Sequence, residues 1–475
     1  MNKTKPPEPS LREGGIKKPE LLAPAGNLEK MKTAFAFGAD AVYAGIPDFS
    51  LRVRINDFTV ESLKEAVAYA HKLGKNFYVT ANIFAHNRHI EKLGKHIREL
   101  KKIKPDGIFV SDPGAIREIR RIWPKANIIL STQANCTNWQ AVKFWSEQGI
   151  KRVILDREVS LDEIREIKKK APKVELESFV HGALCMAYSG RCFLSKYLTG
   201  RSANLGDCAQ PCRWPYARTN SDLDADSCGQ EGGIMIKPVG RNEVLEIVEE
   251  EHGSYILNSN DLCLIKKIPE LTEAGLNAFK IEGRAKSVYY LATVVGAYRK
   301  AIDVSHNVKR ITHNARKELN FLYKELEEKL NHRGYTEGFM FETGKLAQNL
   351  KNSHNGSNWE FCGQAIKVQN SKTKNQNYHR LGGIPPAMIK IKWWDNSKFK
   401  NKKFISFIKI HNSLHIGDSI EIIMPGYDII KMKVKKMVDA MTGETLTEAH
   451  GGQNSIIKLE TKAKIPEFSV LRRKL

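Results

Sequence analysis

The sequence predicts an α/β protein: a TIM-like (β/α)8 barrel carrying a cysteine-bearing insertion, followed by a small C-terminal antiparallel β-barrel. Three observations predict it. From residue 19 to about residue 284, short apolar runs alternate with helix-patterned stretches, as repeated βα units on a parallel sheet require. The connection after the seventh run, from about 181 to 277, is much longer than most of the others and holds six of the eight cysteines. From about residue 387 the pattern changes to apolar residues alternating with basic or polar ones at period two, as in half-exposed antiparallel strands.

The candidate barrel strands are ELLAPA (20–25), AVYAGI (41–46), NFYVTANIF (76–84), GIFVSD (107–112), IILSTQA (128–134), RVILDR (152–157), ELESFV (175–180) and AFKIEGR (278–284). Between them, stretches such as VESLKEAVAYAHKLG and SLDEIREIKKKAP repeat apolar residues at three- and four-residue spacing and end in Gly or Pro. That is the pattern of outer helices. Eight repeats favour a closed barrel, whose reactive groups gather at the C-terminal strand ends and the loops that follow. No G-x-G-x-x-G follows the first run, so an open dinucleotide-binding sheet loses support.

The expected division is a flexible tail at 1–18, the barrel at 19–300, a helical and linker region at 301–386, and the β-barrel at 387–475. Residues 286–334 read as helices rich in Lys, Arg and Glu, followed by RGYTEGFMF and an Asn-rich linker, QNLKNSHNGSNW. The C-terminal strands are MIKIKWW, FISFIKIH, DSIEIIM, IIKMKVKKM and SIIKLE. Their outward face carries Lys390, Lys392, Lys409, Lys431, Lys433 and Lys435, with Trp393, Trp394 and Phe407 nearby. Lysines beside stacking rings suit nucleic acid, and edge strands also carry Lys simply to block aggregation.

The 76 Lys and Arg outnumber the 53 Asp and Glu, a formal charge of +23 that gathers polyanions around the molecule and makes nucleic acid the leading partner class. No run of 18 apolar residues is present, so no membrane span is expected, and the N-terminal tail lacks the apolar core of a secretory signal. Eight cysteines, most of them crowded into one stretch, do not resemble a secreted disulfide framework. Metal ligation in a reducing cytoplasm fits better.

Cys185, Cys192, Cys208 and Cys212 stand with six, fifteen and three residues between neighbours, close enough to converge. Thiolates select iron–sulfur clusters, zinc or copper(I). Structural zinc usually brings two C-x(2–4)-C knuckles, and only Cys208 and Cys212 have that form. Radical chemistry with S-adenosylmethionine would need a third cysteine where Pro215 stands. Cys263 and Cys228 are alternative fourth ligands. Buried cysteine is also a common packing residue, the reading given to Cys362, while Cys136 faces the expected barrel mouth.

Polar groups at the predicted strand ends are Asn27, Asn82, Gln133, Arg157, Glu177, His181, Lys280, Glu282 and Arg284. Arg157 and Arg284 suit bidentate grips on carboxylates or phosphates, and Lys280 joins them as a substrate-binding candidate. Glu177, His181 and Glu282 are the candidates for acid–base work, with Glu282 also readable as a salt-bridged orienter.

The stretch E-x-F-x2-G-A-L-C-x6-C-x-L-S from Glu177 to Ser195 resembles the signature of peptidase family U32, the collagenase-like proteases. ELLAPAGN, GADAVYAG, KIEGR, RGYTEGF and the closing LRR resemble the same family in the same order, across residues 19–475. The loop at 219–240 has no matching family pattern. Members with CAQPCRW and a C-terminal barrel imply oxygen-independent, prephenate-linked 5-hydroxylation of the wobble uridine in tRNA, with a 4Fe-4S cluster. Other relatives imply hydroxylation of a quinone precursor, and the family name implies a peptidase. No H-E-x-x-H or G-x-S-x-G occurs, so a peptidase would need another nucleophile. If the cysteines bind nothing, a noncatalytic RNA-binding role is the remaining expectation.

Overall fold

All eight apolar runs form strands in the computed structural model: Glu20–Pro24, Ala41–Gly45, Asn76–Thr80, Gly107–Val110, Ile128–Leu130, Arg152–Ile154, Glu175–Gly182 and Ala278–Ile281. Each pairs in parallel with the next, and the eighth pairs with both the first and the seventh, with Glu20 opposite Ala278 and Ala278 opposite Glu177. The barrel is therefore closed. Helices cover its outside, which is why the strands read as nearly continuous apolar runs.

The structure describes residues 17–46, 49–50, 57–185, 187–188, 191–214, 216–218, 234–238, 245–247, 259–306, 312–341, 356–366, 404–452 and 455–475. Cys228, most of the 219–240 loop, the MIKIKWW run with Lys390, Lys392, Trp393 and Trp394, and most of the expected tail and linker lie outside these residues.

The outer helices begin where local chemistry starts them. Ser160 and Glu163 form a reciprocal capping box on Leu161–Lys170, and Asp112 caps Pro113–Ile122 with proline in its first turn. Asn27, one of the strand-end candidates, accepts from the Lys30 backbone N–H and caps Leu28–Ala36.

The helix Val288–His306 differs from the charged helix expected there. Its residues from Val288 to Tyr298 are all buried, because the barrel lies on one side and the C-terminal sheet on the other. A helix enclosed on all faces is apolar all round. At Gly296 the approach is so close that a Cβ would stand 2.7 Å from the Tyr427 ring and 2.9 Å from Phe37.

The C-terminal sheet is an antiparallel half-barrel. Its described strands run, in spatial order, Asp428–Lys433, Ser419–Met424, Val470–Lys474, Trp359–Ile366, Phe404–Ile410, Ile456–Thr461, Met437–Asp439 and Thr445–Leu446. The strand Trp359–Ile366 comes from the span read as linker. Ile423, Tyr427 and Val470 join the barrel's apolar core, and Gln364 Nε2 donates to Thr33 Oγ1 at 3.0 Å. Arg472, fully buried, donates to Glu421 of the sheet at 2.6 and 2.8 Å and to Glu325 of the helix His313–Lys329.

Candidate active site

A cavity of about 330 Å³ opens at the C-terminal ends of the barrel strands, where this fold gathers its reactive groups. Its floor is built from charges inside the strands. Lys280 Nζ donates to Glu177 Oε1 at 3.1 Å and lies 3.6 Å from the centre of the Phe109 ring and 4.4 Å from that of Tyr43. Glu177 Oε2 accepts from Arg152 at 3.4 Å, and Arg152 also donates to Glu20 at 2.8 Å and Glu175 at 2.7 Å. Lys280 lines the cavity although it is only 3% exposed, and burial pushes its ammonium down to about 8 against the pull of Glu177.

Arg157, Glu282 and Arg284 stand on the walls. Arg157 stacks on Phe179 with 4.0 Å from guanidinium carbon to ring centre, and Arg284 Nη1 donates to Thr80 Oγ1 at 3.3 Å. The Tyr43 hydroxyl is shared between Glu282 Oε2 at 3.1 Å and the Ile281 carbonyl at 2.9 Å. Two arginines, a lysine and a carboxylate on one concave surface can bind and orient a small polycarboxylated molecule.

The roof is the insertion. Gly182 ends the seventh strand at φ 110°, a conformation that favours glycine, and a Cβ there would collide with the Glu282 carbonyl oxygen. The chain then turns over the mouth, and Cys185, Cys192, Cys208 and Cys212 all line the cavity. Cys208 Sγ accepts the Gln210 backbone N–H at 3.3 Å. Ser195 ties this roof together: its hydroxyl donates to the Arg201 carbonyl at 2.7 Å and accepts from Ala209 N–H at 2.9 Å. Four soft donors on one cavity are the donor set of a thiolate-ligated centre, although among the described residues no group of three or more His, Cys, Asp or Glu side chains is drawn together closely enough to hold a metal ion.

The other candidates divide between the cavity and the interior. Glu177 supports the floor beneath Lys280, fully buried. His181 is 2% exposed and lies among the rings of Tyr290, Tyr298 and Tyr335, where burial pushes its imidazole down to about 3 and keeps it neutral. Cys263 is buried beside Tyr298, with burial raising its thiol to about 12, and Cys136 is raised to about 12 in the same way. Asn82 and Gln133 line the cavity as expected. Sequence reasoning passed over Tyr43, Arg152 and Glu20. The available signal was a charged residue at the start of an otherwise apolar strand, in RVILDR and ELLAPA.

The model of peptidase family U32 matches residues 26–349, and that of the family's C-terminal domain matches residues 395–472. The chain is 38% identical to the tRNA hydroxylation protein P of Haemophilus influenzae, over 91% of each chain. It is 39% identical to the Escherichia coli protein of the same name, over 86% of each. It is also 33% identical to the 23S rRNA 5-hydroxycytidine C2501 synthase of Escherichia coli, over 61% of this chain and 39% of that one. Among the described residues no helix is long and apolar enough to cross a membrane.

Proposed function

This chain belongs to peptidase family U32, and from that membership we propose that it is an enzyme that hydroxylates RNA, with tRNA as its substrate. The observation that carries the proposal is that relatives named for tRNA hydroxylation match along both the barrel and the C-terminal sheet, at 91% and 86% coverage. The more distant relative named as an rRNA hydroxycytidine synthase shares the chemistry on another RNA. The finer reading is oxygen-independent 5-hydroxylation of the anticodon wobble uridine with a prephenate-derived hydroxyl. Replacing the base C5–H by C5–OH removes two electrons, and a donor R–OH that leaves as R–H takes up both. The exchange balances without dioxygen.

The residues at the cavity divide this work. Arg157 and Arg284 hold the carboxylates of the donor, and Phe179 keeps the Arg157 guanidinium flat against the wall. Lys280 holds the proton that moves as the donor's hydroxyl leaves, with Glu177 fixing its ammonium and Glu282 orienting beside Tyr43. Cys185, Cys192, Cys208 and Cys212 would hold a 4Fe-4S cluster, which when bound would supply a redox centre. Lys409, Lys431, Lys433 and Lys435 supply positive charge for the tRNA backbone. A peptidase reading gains nothing from the geometry, since the histidine nearest the cysteines in sequence is enclosed by tyrosines and neutral.

Deleting the gene removes 5-hydroxyuridine and its derivatives from tRNA, read by nucleoside mass spectrometry. An unchanged profile overturns the proposal. Anaerobically purified protein carries about four iron and four sulfide per chain, and a colourless protein holding zinc rejects the cluster.

A further inference from the structure

The short helix Leu194–Thr199 in the cavity roof is turned inside out relative to an ordinary surface helix. Its small and aliphatic residues Ser195 and Leu198 are buried, while its outer face presents Phe193 at 76% exposure and Tyr197 at 79%, with Lys196 beside them. Phe193 and Tyr197 are one turn apart, so the two rings share one face. Apart from the C-terminal Leu475, no other large hydrophobic residue among the described ones exceeds 54%. Large rings left in water side by side mark an interaction surface.

The surroundings say what the rings meet. Cys192 and Leu194, on either side of Phe193, both line the cavity, so the rings stand at its lip. The face is cationic, with Lys196 exposed between the rings and no carboxylate in the helix. It is also braced. Ser195 binds the helix to the 201–209 segment, Cys192 N–H donates to Asn204 Oδ1 at 3.1 Å, and Arg191 reaches the Gln133 carbonyl at 2.9 Å. Rings carried on a braced helix beside a cation, next to the pocket where a base would be modified, form a stacking platform for unpaired nucleotides.

We propose that Phe193 and Tyr197 stack the unpaired RNA nucleotides flanking the base that enters the cavity, with Lys196 on the adjoining phosphate. This inference rests on the RNA-hydroxylase reading. The platform selects single-stranded loops over duplex, because a paired base offers no free face.

The test uses the full chain and two fluorescent RNAs, an anticodon stem-loop and a blunt duplex of equal length, with binding read by anisotropy. Phe193→Ala combined with Tyr197→Ala weakens stem-loop binding by roughly tenfold or more and leaves duplex binding unchanged. The double tryptophan variant retains affinity, while the double leucine variant, which keeps apolar area but no ring, does not. Lys196→Ala lowers the salt slope of stem-loop binding by about one. Wild-type affinity in the alanine variant overturns the inference, as does full rescue by leucine. Self-association of the wild type that the alanine variant abolishes, with RNA binding intact, overturns it in favour of a contact between copies. A wild-type chain that fails to bind the stem-loop at all sinks the RNA reading itself, and this inference with it.

Discussion

Two buried chains of alternating charge run through the molecule, and they are built alike. In the barrel floor, Arg152 bridges Glu20 and Glu177, and Glu177 passes on to Lys280. Between barrel and sheet, Arg472 bridges Glu325 and Glu421, and Glu421 lies 3.8 Å from Lys329. Each lysine sits over an aromatic ring, Lys280 at 3.6 Å from Phe109 and Lys329 at 3.2 Å from Trp359, and burial lowers the pKa of both. The difference is access. Lys280 faces the cavity, whereas Lys329 lies under Trp359 where helix and sheet meet. A buried, paired and perturbed lysine is thus not by itself a catalytic group; the same arrangement faces a cavity in one place and joins helix to sheet in the other.

The largest effect expected from this contrast is on turnover. Lys280→Met lowers tRNA hydroxylation by roughly 10²–10⁴-fold, assayed by mass spectrometry of nucleosides from a complemented deletion strain. Lys329→Met leaves turnover per folded molecule at the wild-type level. Equal losses in the two variants would break the distinction. Next in size is a stability effect. Arg472→Met strands two carboxylates in the domain interface and costs about 3–5 kcal/mol in denaturant unfolding, with turnover of the folded fraction preserved. A variant that unfolds normally but no longer hydroxylates would make the interface part of the site.

The barrel was legible because parallel strands buried on both faces announce themselves as apolar runs, and the thiols because four cysteines fall within one insertion. The charge chains were not. Glu177 and Lys280 are separated by 103 positions, and nothing in the letters distinguishes a glutamate paired inside a barrel from one in water. The closing LRR motif was visible, yet the role of Arg472 depends on Glu325 and Glu421, both distant in sequence. His181 was a candidate for acid–base work at the strand end, but its ring lies among tyrosines, whereas Cys185 lines the cavity. Averaging charge over residues 286–334 hid the buried helix Val288–His306 behind its solvated neighbour. The strand Trp359–Ile366 was missed because it follows directly on a polar stretch.

A subtler effect separates the two chains by pH. Lys280 titrates near 8 in the folded protein, below its ordinary 10.5. Between those values the unfolded chain holds a proton that the native chain has released, so the native state gains stability as pH rises through the window. The stability difference between wild type and Lys280→Gln therefore grows from pH 8 to 10.5, by at most about 1.4 kcal/mol per pH unit. The difference between wild type and Arg472→Met varies there chiefly through Lys329, whose pKa Arg472 helps to lower, because arginine itself does not titrate in that range. A flat profile for the lysine pair would mean that Glu177 holds the ammonium at its ordinary value.

The smallest effect lies at the edge of the interface chain. Lys431 is paired with Glu421 at 3.2 Å, but its own side chain is 78% exposed, so water already screens the charge it supplies. Lys431→Ala changes stability by no more than about 0.5 kcal/mol, measured in the same denaturant series as Arg472→Met. The contrast bears on burial, since both cations meet the same carboxylate, with Arg472 buried and bridging Glu325 as well. A loss comparable to that of Arg472→Met would show instead that Glu421 depends on its full set of partners, and that the chain acts as one cooperative network.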